Sequence, residues 1–198
     1  VARATGHPPR RFDRAPDGNI ALTGELELDG RHEFTLGLAF GRGLHNAVTT
    51  LLQALGIPFQ EQLDRYVEQW QRPCRRTLPL EKVCGDEGKL YETSVSMLLA
   101  HEDKTFPGAF IASLSIPWGE AKGDEDMGGY HLVWVRDMVQ TATALLASGH
   151  TETPRRALIY LAASQHADGG FPQNFWIYGQ PYWRGIQLDE VAFPILLA

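Results

Sequence analysis

The chain has 198 residues, 43% hydrophobic and 21% charged, with a formal net charge of −6, the balance of an ordinary globular domain or parts of two. The acidic excess argues against a nucleic-acid partner, and Arg75-Arg76 and Arg155-Arg156 are isolated basic pairs on a solvated surface. No apolar run approaches the roughly 20 residues of a membrane helix, and two cysteines with seven scattered histidines make neither a disulfide framework nor a transition-metal site.

Residues 1–17 are rich in Arg and Pro, lack periodicity and read as an extended leader. No signal-peptide pattern opens the chain at Val1-Ala2-Arg3, which leaves export open. Residues 20–29 alternate, with Ile20, Leu22, Leu26 and Leu28 on one side, which predicts a half-buried strand. Asp29-Gly30-Arg31 is a hairpin turn, and 32–40 is the return strand, with Phe34, Leu36, Leu38 and Phe40 alternating. A lone hairpin is marginal in water, so these strands should belong to a larger sheet.

Beyond Gly41-Arg42-Gly43, residues 45–55 and 58–71 are predicted helices. In the second, Phe59, Leu63, Tyr66, Val67 and Trp70 recur at helical spacing and Pro58 suits the first turn. Pro73 and Pro79 bracket a linker, and Cys74 and Cys84 read as free thiols. A further helix is expected over 80–101, weakened by Gly85 and Gly88, then a strand over 109–113 and a polar loop over 119–129. Three more helices should follow over 132–148, 154–164 and 186–198, with Thr153 as N-cap of the middle one. Asp168-Gly169-Gly170 ends that helix, and the aromatic 171–185 forms a long loop, either a platform for a sugar or a plug. The acidic 123–126 has oxygen ligands enough for calcium but lacks the EF-hand pattern, so it reads as a solvated turn and no cofactor is called for.

The densest chemistry lies in Gly128-Gly129-Tyr130-His131-Leu132-Val133-Trp134-Val135-Arg136-Asp137. Aromatic faces beside a cation and an anion suit a ligand covered in hydroxyls: C–H faces stack on Trp, and hydroxyls exchange charge-assisted hydrogen bonds with Arg and Asp. The plain alternative is an Arg136–Asp137 pair tying a loop to a helix, and physics alone leaves both open.

Three ordered segments also carry a resemblance. Tyr130-x-x-x-Trp134-x-Arg136-Asp137 resembles the Y-x-x-x-W-x-R-D motif of glucoamylases and glucodextranases, glycoside hydrolase family 15. The preceding Ala112-Ser113-Leu114-Ser115-Ile116-Pro117-Trp118-Gly119 is similar to the bacterial branch of that family, and Trp183-x-x-x-Gln187-x-Asp189 to a third family segment. Together they span roughly residues 108–198. The resemblance implies an α+β chain: residues 1–43 as the last strands of an N-terminal β-sandwich, 44–79 as a helical linker, and 80–198 as the first part of an (α/α)6 barrel.

It also implies inverting hydrolysis that releases glucose from the non-reducing ends of α-glucans, a step that needs one protonated and one ionised carboxyl group. By the same carry-over Arg136 and Asp137 grip the outer hydroxyls of the terminal glucose, and Tyr130 and Trp134 shape that subsite. Trp183 lines the cleft, and Gln187 and Asp189 support it by hydrogen bonds; packing of the loop by Trp183, and helix capping by Asp189, are the plain alternatives. Glu190, beside two aromatics at a helix start, is a tempting general acid, but the family's acid belongs to a Trp-Glu-Glu motif that this chain lacks. Neither catalytic carboxylate is therefore expected in this chain.

Rival readings are a catalytically silent glucan-binding relative, as in phosphorylase kinase subunits, a trehalase, and a terpene cyclase. The last rests on Gln165-x-x-Asp168-Gly169-Gly170-Phe171, a turn found in other α-α barrels, without the Asp-rich or zinc motifs that chemistry needs.

Overall fold

The computed structural model describes residues 28, 30, 32–80, 82–114 and 130–198. The leader, nearly all of the strand expected over 20–29, and the loop 119–129 with its calcium alternative lie outside the described residues. The chain divides into two compact units, Val1–Asp64 and Arg65–Ala198.

In the first unit, the alternation at Phe34, Leu36, Leu38 and Phe40 forms no ladder, and all four side chains are exposed. The expected return strand is therefore not observed. Period-two patterning makes a strand only when another layer covers its apolar face, and none of this unit's described residues is buried. Helix α1 spans Leu44–Leu55 and ends at Gly56. Helix α2 spans Phe59–Cys74 and begins on Pro58, whose carbonyl accepts the Gln62 amide at 3.2 Å. The Gln62 side chain also donates to the carbonyls of Ala54 and Ile57, closing the turn after α1.

The second unit holds the core. Helix α3 spans only Lys89–Ala100, because Gly88 adopts φ 82° and starts the helix there instead of at Leu80. Helix α4, Val135–Ala147, buries Val135, Met138, Val139, Ala142 and Leu145, an i, i+3, i+4, i+7, i+10 stripe. Each larger side chain on that stripe is worth about 1.5–3 kcal/mol of burial. Helix α5, Glu152–Ser164, places Ala157 and Leu161 one turn apart against the same core, and α6 spans Leu188–Leu197. Helix α4 packs against α3, α5 and α6.

Thr151, not Thr153, occupies the N-cap of α5. Thr153 is buried and accepts a hydrogen bond from Arg156, which grips Glu102 with two 2.7 Å hydrogen bonds. Glu102 also accepts the Gly108 amide at 3.0 Å, so one buried carboxylate locks the turn after α3 to α5.

Two expected elements are replaced. The strand over 109–113 reduces to a single bridge between Glu102 and Phe110, and Ala112 and Ser113 instead donate to the carbonyls of Leu132 and Tyr130. The helix expected from Leu132 is preceded by strand β1, Val133–Trp134, and the aromatic stretch folds as β2, Asn174–Phe175, and β3, Pro181–Trp183. These form a small antiparallel sheet in the order β1-β2-β3, with Val133 opposite Phe175, Trp134 opposite Asn174 and Asn174 opposite Trp183. Buried Asn174 accepts the Trp183 amide at 3.0 Å and staples the irregular register of the outer pair. Among the described residues no helix is long and apolar enough to cross a membrane.

Candidate functional site

Strand β1 runs directly into α4, so Trp134 stands at the N-cap and Arg136 and Asp137 lie in the first helical turn. The sheet then brings Trp183 beside this junction from a segment some fifty positions later. The result is a cleft of about 330 Å³ lined by Tyr130, Trp134, Arg136, Asp137, Tyr182 and Trp183, with Ala112, Leu132 and Asn174 completing its wall. Five of the seven sequence-predicted binding residues meet there.

The other two, Gln187 and Asp189, lie behind the guanidinium. Arg136 Nη1 donates to Asp189 Oδ2 at 2.6 Å and to Gln187 Oε1 at 3.4 Å. Arg136 and Asp137 do pair, but loosely: Asp137 Oδ2 comes no closer than 3.9 Å, to Arg136 Nε. A helical i, i+1 pair points in divergent directions, so the distant Asp189 makes the short contact and Asp137, 48% exposed, keeps acceptor capacity at the cleft. The hydrogen bond with Asp189 holds the Arg136 pKa above its ordinary value and the Asp189 pKa below the usual carboxylate range.

Glu190 is the residue whose structural part the sequence did not disclose. Its side chain is 0% exposed, and it is not a lining residue of the cleft. Oε2 accepts the backbone N–H of Arg136 at 2.9 Å, while Oε1 lies 3.5 Å from Arg136 Nη1 and has no hydrogen-bond partner. Burial pushes its pKa up to about 7, against the opposing pull of the Arg136 amide and guanidinium. The available signal was an acidic residue in the first turn of a helix beside an already committed acid.

The aromatic walls come in pairs. Tyr130 and Trp134 have ring centroids 5.7 Å apart with planes tilted by 35°. Tyr182 and Trp183 stack at 6.0 Å with planes 17° apart, and Trp176 meets the edge of Tyr182 at 5.8 Å. Trp183 is 52% exposed, which opposes the alternative that it merely packs the loop. Flat apolar faces beside a fixed guanidinium and an accessible carboxylate make a surface for a polyhydroxylated ring.

A larger cleft of about 570 Å³ lies elsewhere in this unit, with Arg72, Arg76, Lys104, His150 and Trp70 on its walls. It contains none of the predicted binding residues. His150 there is shifted below its ordinary pKa by burial and by Arg76, and meets Thr77 Oγ1 at 3.1 Å. Among the described residues no group of His, Cys, Asp or Glu is arranged to hold a metal, and both cysteines are free.

Comparison with known proteins gives the family. The model of glycosyl hydrolases family 15 matches residues 85–198, and that of glucodextranase domain N matches residues 4–74. A glucoamylase of Clostridium sp. (strain G0005) is 42% identical over 189 residues, covering 96% of this chain and 26% of the relative. An uncharacterised glycosyl hydrolase of Methanocaldococcus jannaschii is 33% identical over 63 residues, covering 32% of this chain and 10% of that protein. A solved bacterial glucoamylase complexed with acarbose superposes with a TM-score of 0.71 at 44% identity, covering 80% of this chain and 23% of that one. The chain thus spans about a quarter of the length of the glucoamylases it matches. It belongs to glycosyl hydrolases family 15, and its mixture of helices with a small sheet matches the glucoamylase fold.

Proposed function

We propose that this family-15 chain supplies one wall of the terminal-glucose pocket of a glucoamylase-type enzyme that hydrolyses α-glucans from their non-reducing ends. The observation that carries the reading is the convergence of Arg136, Asp137, Tyr130, Trp134 and Trp183 on one cleft. Arg136 donates to ring hydroxyls, Asp137 accepts from them, and the indole faces cover the C–H surfaces of the sugar. Gln187 and Asp189 hold the guanidinium without touching the sugar. The acarbose complex of the solved bacterial glucoamylase supports an oligosaccharide as the ligand class.

Inverting hydrolysis needs an acid and a base on opposite sides of the scissile bond. Asp137 is the one carboxylate among the described residues that line the cleft, and the sequence has no Trp-Glu-Glu, the motif to which the resemblance assigns the acid, so on this reading neither catalytic carboxyl group is supplied by this chain. In domain terms, we read residues 1–43 as the end of an N-terminal β-sandwich domain, although 32–40 form no ladder here, 44–79 as the linker and 80–198 as the opening of an (α/α)6 barrel; the glucodextranase domain N match over 4–74 and the family-15 match over 85–198 support an N-terminal domain followed by a family-15 domain.

The test is the anomer released from maltooligosaccharides, read by NMR, by a protein that continues this chain to the length of its relatives. We expect β-glucose, and a fall in kcat/KM of at least about a hundredfold for Arg136→Ala, the loss for a charge-assisted contact. Release of the α-anomer would overturn inversion, and an unimpaired variant would overturn the pocket. The 198 residues alone should bind weakly and release nothing.

A further inference from the structure

We propose that Glu190 is a positioning residue: it fixes Arg136 against the start of α6 and thereby sets the reach of the guanidinium into the cleft. This rests on the glucan-pocket reading of that cleft. Three observations carry it. Glu190 is completely enclosed although it is an acid, and such burial is costly unless specific partners take the charge. Its Oε2 takes the Arg136 amide, one of the four N–H groups that a helix leaves without intrahelical partners, and does so from a different helix. No side chain within α4 caps that end, since Trp134 occupies the N-cap.

The geometry divides the work on Arg136 between neighbours in sequence. Glu190 holds the backbone, and Asp189 and Gln187 hold the guanidinium. Because Asp189 and Glu190 share the first turn of α6, any shift of Arg136 in the cleft must move both attachments together. Catalysis by Glu190 itself is disfavoured by the same facts: it is absent from the cleft lining and its side chain has no exposed surface from which to reach a glycosidic oxygen.

Two measurements test this, one independent of any glucan. In the 198-residue chain, hydrogen exchange of the Arg136 amide followed by NMR should quicken at least tenfold in Glu190→Ala. It should stay within about threefold of wild type in Glu190→Gln, whose amide oxygen can still accept. Unchanged exchange in Glu190→Ala would overturn the proposal; should that variant fail to fold, slow wild-type exchange retained in Glu190→Gln is the expected result, and fast exchange in wild type would overturn it.

In a protein extended to the length of the relatives, Glu190→Gln should stay near wild type, whereas Glu190→Ala should raise KM for maltooligosaccharide three- to tenfold with kcat within about threefold. In an Arg136→Ala background the same substitution should leave KM unchanged, because its effect passes through the guanidinium. A collapse of kcat with KM unchanged would make Glu190 a catalytic acid, and an equal KM effect in both backgrounds would make it merely structural; either overturns the proposal. If the wild-type protein hydrolyses no glucan, the pocket reading fails while the exchange result still decides whether Glu190 holds Arg136.

Discussion

Raising the pH should destabilise the second unit through Glu190, and the sign can be worked directly. In the folded chain burial holds the Glu190 proton up to about 7, whereas the unfolded chain releases it near 4.5. Between those values the folded state binds more protons, so this contribution is fully present below about pH 4.5 and is lost as pH rises to 7. At about 1.4 kcal/mol per unit of pH, the loss between pH 5 and pH 8 is on the order of 2–3 kcal/mol. The charged groups that face it are Arg136, Asp189 and Asp137; the titration of Asp189 is displaced downward, below this window. His150 works in the opposite sense. Burial depresses its pKa, so its contribution is lost as pH falls below the ordinary value of 6.5. The raw slope of wild type therefore mixes two signs, and the decisive quantity is the difference between wild type and Glu190→Gln. Urea titration by tryptophan fluorescence serves, because all five tryptophans lie beyond Asp64 and report on the second unit. Relative to wild type, Glu190→Gln should gain about 2–3 kcal/mol on going from pH 5 to pH 8. Parallel stability curves over that range would refute the burial argument.

Arg156→Ala leaves Glu102 buried without its fork, and should cost about 2–3 kcal/mol by urea titration, less than a wholly enclosed pair because Arg156 is itself partly exposed. Gly108→Ala forces a side chain onto φ 94° and brings its Cβ within 2.3 Å of the Arg156 carbonyl oxygen, so a loss of at least about 2 kcal/mol is expected, and a neutral result would contradict the backbone geometry there. Trp183→Ala should change stability by less than about 1 kcal/mol, since the ring is exposed and its amide bond to Asn174 is retained. The same variant should weaken maltooligosaccharide binding about tenfold by calorimetry in the extended protein, a ring–sugar contact being worth about 1.4 kcal/mol.

Helices were the most legible part of the sequence because their signals are local. Met138, Val139, Ala142 and Leu145 mark the buried stripe of α4 without reference to anything distant, and Gly56 and Gly149 mark where chains leave helices. Strands were misread in both directions for one reason: a strand is completed by a partner. The alternation at 34–40 has no covering layer among the described residues, so it stays outside any sheet. Val133–Trp134 and Asn174–Phe175 are each two residues long, too short to show alternation, yet they pair because α4 and the aromatic hairpin bring them together. For the site, motif spacing supplied Tyr130, Trp134, Arg136, Asp137 and Trp183, all now on one cleft. It could not supply Asn174 or Tyr182, which reach the wall through strand pairing. Nor could it show that Asp189 displaces Asp137 as the close partner of Arg136, because side-chain direction on a helical turn is not written in sequence order.

The charge balance at the head of α4 explains why these residues differ so sharply in state. One guanidinium faces three carboxyl groups, those of Asp137, Asp189 and Glu190. A single cation cannot offset three anions at close range, so one carboxyl should carry a proton, and burial decides which. Asp189 receives the short hydrogen bond at 2.6 Å and stays ionised, while Glu190, enclosed and with Oε1 unbonded, holds the proton longest. Asp137 is half-exposed and solvated, which leaves its oxygens free to accept from a ligand at the cleft. A neutral sugar brings no charge to disturb this balance, whereas an anionic ligand would compete with Asp189 for Arg136. On the proposed glucan reading the cluster favours hydroxyl groups over carboxylates and phosphates, and replacing maltooligosaccharide by an acidic sugar of equal length should abolish binding.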